Sequence, residues 1–152
     1  MALKEKALRR LAERLNAAGI VWAAGGEWLM YQRGIEESYH QFDIVVAEAD
    51  AARADQILSK LGMRTPHPDS TDAFRCDYHF DGADIALMAG LSVEGHSLPF
   101  SVEDIAGSAT VLGAAVPLMA LTPWERVYRA RGALRQAEAI AAYLNTASEG
   151  QT

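Results

Sequence analysis

The sequence predicts a mixed α/β domain, and three observations carry that prediction. Residues 20–34 read as a short apolar strand, a Gly25-Gly26 break and an apolar helix that stops at Gly34. Residues 74–88 and 110–119 each place strand-forming residues on both sides of a glycine-containing turn, which is hairpin patterning. Helical periodicity brackets these strands, at residues 4–18 and again over 122–147.

Composition narrows the class. The 152 residues are 50% hydrophobic, enough for one compact domain over 1–152 that buries about two-thirds of its unfolded surface. The net charge is −6 and the basic residues are scattered, which argues against a general nucleic-acid-binding surface. Cys76 is the single cysteine, so an intramolecular disulfide is excluded. With no signal-peptide pattern and no apolar run of about 18 residues, the expected location is cytoplasmic, with no membrane partner.

Taken in order, residues 4–18 form an amphipathic helix with Leu8, Leu11 and Leu15 on its inner face, ended by Gly19 in the left-handed conformation. The Gly25-Gly26 pair has two readings: it ends a strand, or it lets backbone approach phosphate oxygens at the start of the next helix. That helix, 27–33, carries Trp28, Leu29, Met30 and Tyr31 in succession and is expected to be buried. Alternation over 41–46 places Gln41, Asp43 and Val45 on one face and Phe42, Ile44 and Val46 on the other.

Asp50 is expected to cap a helix over 51–61, with Ile57, Leu58 and Leu61 inward, and 67–70 to be a loop with His67 exposed. Asp81-Gly82 predicts a type I′ turn, which pairs Phe80 with Ala83, His79 with Asp84, Tyr78 with Ile85 and Asp77 with Ala86. One hairpin face, with Phe74, Cys76, Tyr78, Phe80, Ile85 and Leu87, must pack inward. The other, with Arg75, Asp77, His79 and Asp84, is either solvated or lines a site. Residues 91–99 read as a loop, Ser101 as the cap of a short helix near 102–106, and Gly113-Ala114 as a second hairpin turn. Thr122, Pro123 and Glu125 fit N-cap, N1 and N3 of a closing helix. A division near Gly132 makes two short helices, the second packing through Ala133, Ala137, Ile140, Ala141 and Leu144, and 149–152 is expected to fray.

The combination of Gly25-Gly26, the run FDIVV at 42–46, the run ADIALM at 83–88 and the later Val116-Pro117 hairpin resembles the nucleotidyltransferase superfamily. The likeness is greatest to its small bacterial branch, related to aminoglycoside and lincosamide nucleotidyltransferases. The resemblance implies a small mixed twisted sheet with helices packed mainly on one side, residues 122–147 as closing C-terminal helices, and a cleft between the glycine turn and the acidic strands. Members carry two acids one residue apart on the strand after the turn helix. Placing Asp43 as the second puts Gln41 at the first, and Asp84 fits the third.

The same resemblance implies magnesium held by Asp43 and Asp84, and a reacting set of Asp43, Asp84, Gln41 and His79. It also implies nucleotide phosphates held by Gly25 and Gly26, with Arg129, Arg131 and Arg135 as further candidates. The implied reaction moves a nucleoside monophosphate from a nucleoside triphosphate to a hydroxyl of a small molecule or protein. Gln41 offers a carbonyl oxygen but no charge, which weakens a two-metal site. The alternative is therefore a degenerate nucleotidyltransferase-fold protein that binds a ligand or a protein partner, as in toxin and antitoxin pairs. A third reading has the cleft serve other chemistry built on His79, Asp77 and Asp84.

Overall fold

A computed structural model describes residues 2–150. The first helix, α1 (Ala2–Ala17), buries Leu8, Leu11 and Leu15 completely. The chain then turns through Gly19 into β1 (Trp22–Gly25), α2 (Gly26–Gln32) and β2 (Phe42–Val46). After a single 3-10 turn come α3 (Ala51–Ser59), β3 (Met63–Pro66), β4 (Phe74–Phe80) and β5 (Ala83–Ala89). A small separate hairpin, β6 (Leu91–Val93) and β7 (His96–Leu98), precedes β8 (Ile105–Val111) and β9 (Ala114–Met119). The helices α4 (Leu121–Ala130) and α5 (Leu134–Gly150) close the chain.

Seven strands form one twisted mixed sheet in the order β3-β4-β5-β2-β1-β9-β8. The pairs β2 with β5 and β1 with β9 are parallel, and the remaining pairs are antiparallel. Every residue of β2 is buried, because the strand has neighbours on both sides and is covered on both faces. One face holds Trp22, Phe42, Ile44, Cys76, Tyr78 and Leu87 and packs on α1 and α3. There the Trp22 indole donates to Asn16 of α1 at 2.8 Å, and the Tyr78 hydroxyl donates to Asp55 of α3 at 2.5 Å. The opposite face carries Asp43, and α4 lies over part of it.

The β4–β5 hairpin has the register its turn chemistry requires: Phe80 opposite Ala83, His79 opposite Asp84, Tyr78 opposite Ile85 and Asp77 opposite Ala86. Asp81 (φ 52°) and Gly82 (φ 74°) supply the two positive φ values of a type I′ turn. Arg10 of α1 reaches back to Asp81 at 2.8 Å, tying this turn to the first helix.

Several elements differ from expectation for local reasons. Residues 91–99 are the β6–β7 hairpin, turning on Glu94 (φ 51°) and Gly95 (φ 80°), with Leu91 and Val93 buried. Residues 63–66 form an exposed edge strand, whose one-sided pairing leaves no alternation to read. Asp50 makes no side-chain cap, because it already sits in the 3-10 turn Glu48–Asp50. The α4 helix starts two residues early, at buried Leu121, so Ala120 takes the cap position and Thr122 and Pro123 lie inside its first turn. The second hairpin turns at Leu112-Gly113 rather than Gly113-Ala114, and β8 reaches back to Ile105. Ser101 and Asp104 do form a capping box, but it opens only the 3-10 turn Val102–Asp104. Of the end expected to fray, residues 149 and 150 belong to α5, which is 17 residues long, and 151–152 lie outside the described residues.

Candidate functional site

Three parts of the fold meet around Asp43: the β1–α2 junction, because Gly25 pairs with Asp43 across β1 and β2; the β4–β5 hairpin, through Ala86; and α4. A cavity of about 520 Å³ opens there, with Glu27, His40, Gln41, Asp43, Arg75, Trp124, Tyr128, Arg131 and Arg135 in its wall.

Asp43 is almost completely buried, and all its hydrogen bonds come from neutral groups. Gln41 donates its side-chain amide to Oδ1 at 2.6 Å, and the Glu27 backbone N–H faces Oδ2 at 3.3 Å. Burial pushes the Asp43 carboxyl from its ordinary 3.8 up to about 6 against the lowering effect of those hydrogen bonds, and the nearby Glu27 charge adds to the rise. Glu27 itself accepts from both the backbone N–H and the ring Nδ1 of His40 at 2.9 Å.

The arginines of the wall are each paired. Arg131 reaches Asp72 Oδ1 at 2.8 Å, and that carboxylate also accepts the Ser92 backbone N–H at 2.9 Å. Arg135 bonds Glu36 at 3.1 Å, and Arg75 bonds Asp77 at 3.0 Å. The Trp124 and Tyr128 rings lie 5.7 Å apart on one side of α4, with the Trp124 indole held by the Met119 sulfur at 3.1 Å. The Tyr128 phenol is pushed well up, by burial first and then by the charges of Asp43, Glu27 and Glu36.

The glycine turn is not part of the wall. The Trp124 indole fills the space that a β-carbon on Gly25 would take, and the Asp43 carboxylate fills that space at Gly26, whose φ is +56°. The two glycines therefore serve close packing by the chain's own side chains.

Of the residues singled out in the sequence, Gln41, Asp43, Arg131 and Arg135 come together in this cavity. Asp84 does not line it. Phe42 pairs with Ile85 and Asp43 with Ala86, so Asp84 shares the face of Asp43 but stands two residues short of its partner. Its carboxylate, with 69% of the side chain exposed, binds His79 Nδ1 at 2.7 Å instead. His79 stays with Asp84, and Arg129 is an exposed partner of Glu125 at 3.0 Å on its own helix. His67 is exposed, as expected, and its ring bonds Asp77 at 2.7 Å. Glu27, Trp124 and Tyr128 were missed as site residues, although the spacing 124, 128, 131 marks one helix face.

No protein-family model matches the chain, and no curated protein matches it in sequence. Solved structures do match. A Thermotoga maritima protein described as a nucleotidyltransferase superimposes with a TM-score of 0.66 over 93% of this chain and 92% of its own, at 19% identity. The chain has the nucleotidyltransferase fold. The lincosamide adenylyltransferase LnuA, solved with lincomycin bound, matches at a TM-score of 0.60 and 12% identity, over 89% of this chain and 96% of its own. The ANT(2")-Ia structure with adenylyl-2"-tobramycin matches at 0.56 and 10% identity, over 93% and 97%.

Two-metal chemistry in a nucleotidyltransferase fold needs several carboxylates converging on the ions. Here Asp43 has Gln41 beside it and Ala86 opposite it. Among the described residues no three His, Cys, Asp or Glu side chains are grouped so as to hold a metal ion. The donor set does not fit a magnesium clamp. No helix among the described residues is long and apolar enough to cross a membrane.

Proposed function

We propose that this chain is a ligand-binding protein built on the nucleotidyltransferase fold, with an acid clamp too incomplete for metal-dependent nucleotidyl transfer. One observation carries the reading. Asp43, the acid at the centre of the cavity, is hydrogen-bonded to the neutral Gln41 and faces Ala86 on β5, where a second and third carboxylate would be needed. The cavity itself is retained, and its aromatic and charged wall suits a small molecule. LnuA and ANT(2")-Ia, which share the fold, hold lincomycin and adenylyl-2"-tobramycin.

The competing reading is an active enzyme that uses a nucleoside triphosphate and a small-molecule hydroxyl. Thermal unfolding with a panel of nucleoside triphosphates, with and without magnesium, separates the two. The expected outcome is no magnesium-dependent rise in Tm and no transfer of labelled nucleoside monophosphate. A magnesium-dependent rise that saturates with nucleotide would replace this reading by the enzymatic one.

A further inference from the structure

The large sheet ends in two edges, β3 on one side and β8 on the other. The first is guarded. β3 is four residues long, carries Arg64 in an ion pair with Asp55 and ends at Pro66, which has no N–H to offer. β8 is seven residues long and holds neither a proline nor a charge, and the sequence has no charged residue between Asp104 and Glu125. Such an edge is a template for another strand.

The turn beside it fixes which backbone groups point outward. Leu112 (φ 49°) and Gly113 (φ 87°) make a two-residue turn, so Val111 and Ala114 exchange hydrogen bonds and the pairs alternate from there. Val111, Ala109 and Gly107 therefore bond to β9, while Ser108 and Thr110 aim their N–H and C=O groups away from the sheet. Both residues are exposed. Towards the start of the strand the Ala106 carbonyl accepts from Arg33 at 3.4 Å, and the register shifts between Ile105 and Gly107. The regular open edge is thus short and centred on Ala109.

We infer that two copies of this chain pair through β8, antiparallel about a two-fold axis at Ala109, so that one sheet runs through both subunits. Ser108 then lies opposite Thr110 of the partner subunit, and each such pair exchanges both of its N–H···O bonds. Centring the axis on Ser108 would use the Ala106 carbonyl, already bonded to Arg33, and centring it on Thr110 would use the turn residue Leu112. A two-fold contact sets identical groups near one another, which chains of net charge −6 tolerate best along an uncharged strand. A charged partner would find nothing on β8 to select it. In this register Leu112, 47% exposed at the hairpin tip, is carried to the partner subunit's Ala106 and loses water there. The contact is independent of ligand binding, because no β8 residue lines the cavity.

Sedimentation equilibrium of the full chain, over about 1–300 μM, tests it. The expected result is a reversible monomer–dimer equilibrium whose limiting mass is twice 16.5 kDa, with amide exchange at Ser108 and Thr110 slowed in the dimer. Ser108→Lys and Thr110→Glu, both at exposed positions, should each weaken the dimer by about tenfold or more, since each sets like charges diagonally across the axis. Circular dichroism and Tm check that the variants remain folded. Combining the two substitutions should restore the dimer, because opposite charges then face each other between subunits. A chain that stays monomeric throughout, a dimer indifferent to both single substitutions, open-ended polymers, or a double variant that remains as weak as the single ones overturns the inference.

Discussion

The Oδ2 atom of Asp43 occupies the space that a β-carbon on Gly26 would need. Gly26 also has a φ of +56°, in the region that L side chains enter only with strain. The buried acid and the glycine turn are thus one packing unit, and any side chain at position 26 has to displace the carboxylate. Gly26→Ala is expected to destabilise the fold by about 3 kcal/mol or more, combining backbone strain with a steric clash. Urea unfolding measures it, and a loss below about 1 kcal/mol would show that the junction relaxes.

Asp43 should reduce stability at neutral pH. Its folded pKa, about 6, lies above the ordinary 3.8, so between these values the folded state holds a proton that the unfolded state has released. Stability therefore falls as pH rises through that window, by a total on the order of 3 kcal/mol for this group. Asp43→Asn is expected to be more stable than wild type at pH 7.5 and to converge with it near pH 4. Denaturant midpoints across that range would show no such crossing if Asp43 were well solvated.

Gln41→Asp replaces the 2.6 Å amide hydrogen bond by a second carboxylate beside a buried one. Two like charges then share the site and one pKa must rise further. The variant should lose about 1–2 kcal/mol at pH 7.5, judged from the usual cost of an uncompensated buried charge, and regain it on acidification or with millimolar magnesium. Tm measured with and without magnesium decides this. If magnesium stabilises the variant no more than wild type, position 41 is not a vacant ligand position.

Arg131 is the clasp between α4 and the loop that carries buried Asp72. Arg131→Met leaves that carboxylate without its cation and should cost about 3 kcal/mol. Adding Asp72→Asn should restore part of the loss, and a double-mutant cycle reads the coupling. Purely additive effects would mean that the pair is decorative.

How far the sequence could be read depended on the reach of each signal. The β4–β5 register followed from Asp81-Gly82 and strict alternation, both local, and it emerged residue for residue. Asp43 could be placed at the site because the glycine turn and its strand lie close in the chain. Asp84 was misplaced because the offset between parallel strands is set by packing across β2 and β5, which puts Ala86 opposite Asp43. Trp124 and Tyr128 join the cavity only because β9 runs beside β1, through Ala24 opposite Leu118, and delivers α4 over the turn. No local pattern encodes that meeting. The β6–β7 hairpin reads as a loop, because its three-residue strands carry too little periodicity to stand out.

The mixture of parallel and antiparallel pairings also sets an order of assembly. The β4–β5, β6–β7 and β8–β9 hairpins close over two-residue turns, and such units form in about 1–10 μs. The parallel pairs β2 with β5 and β1 with β9 must wait for long loops to close, the second joining opposite ends of the chain. The cavity is bounded by those long-range pairings, so it is expected to be completed last during folding. Substitutions in its wall should accordingly alter how fast the native state is lost far more than how fast it is reached.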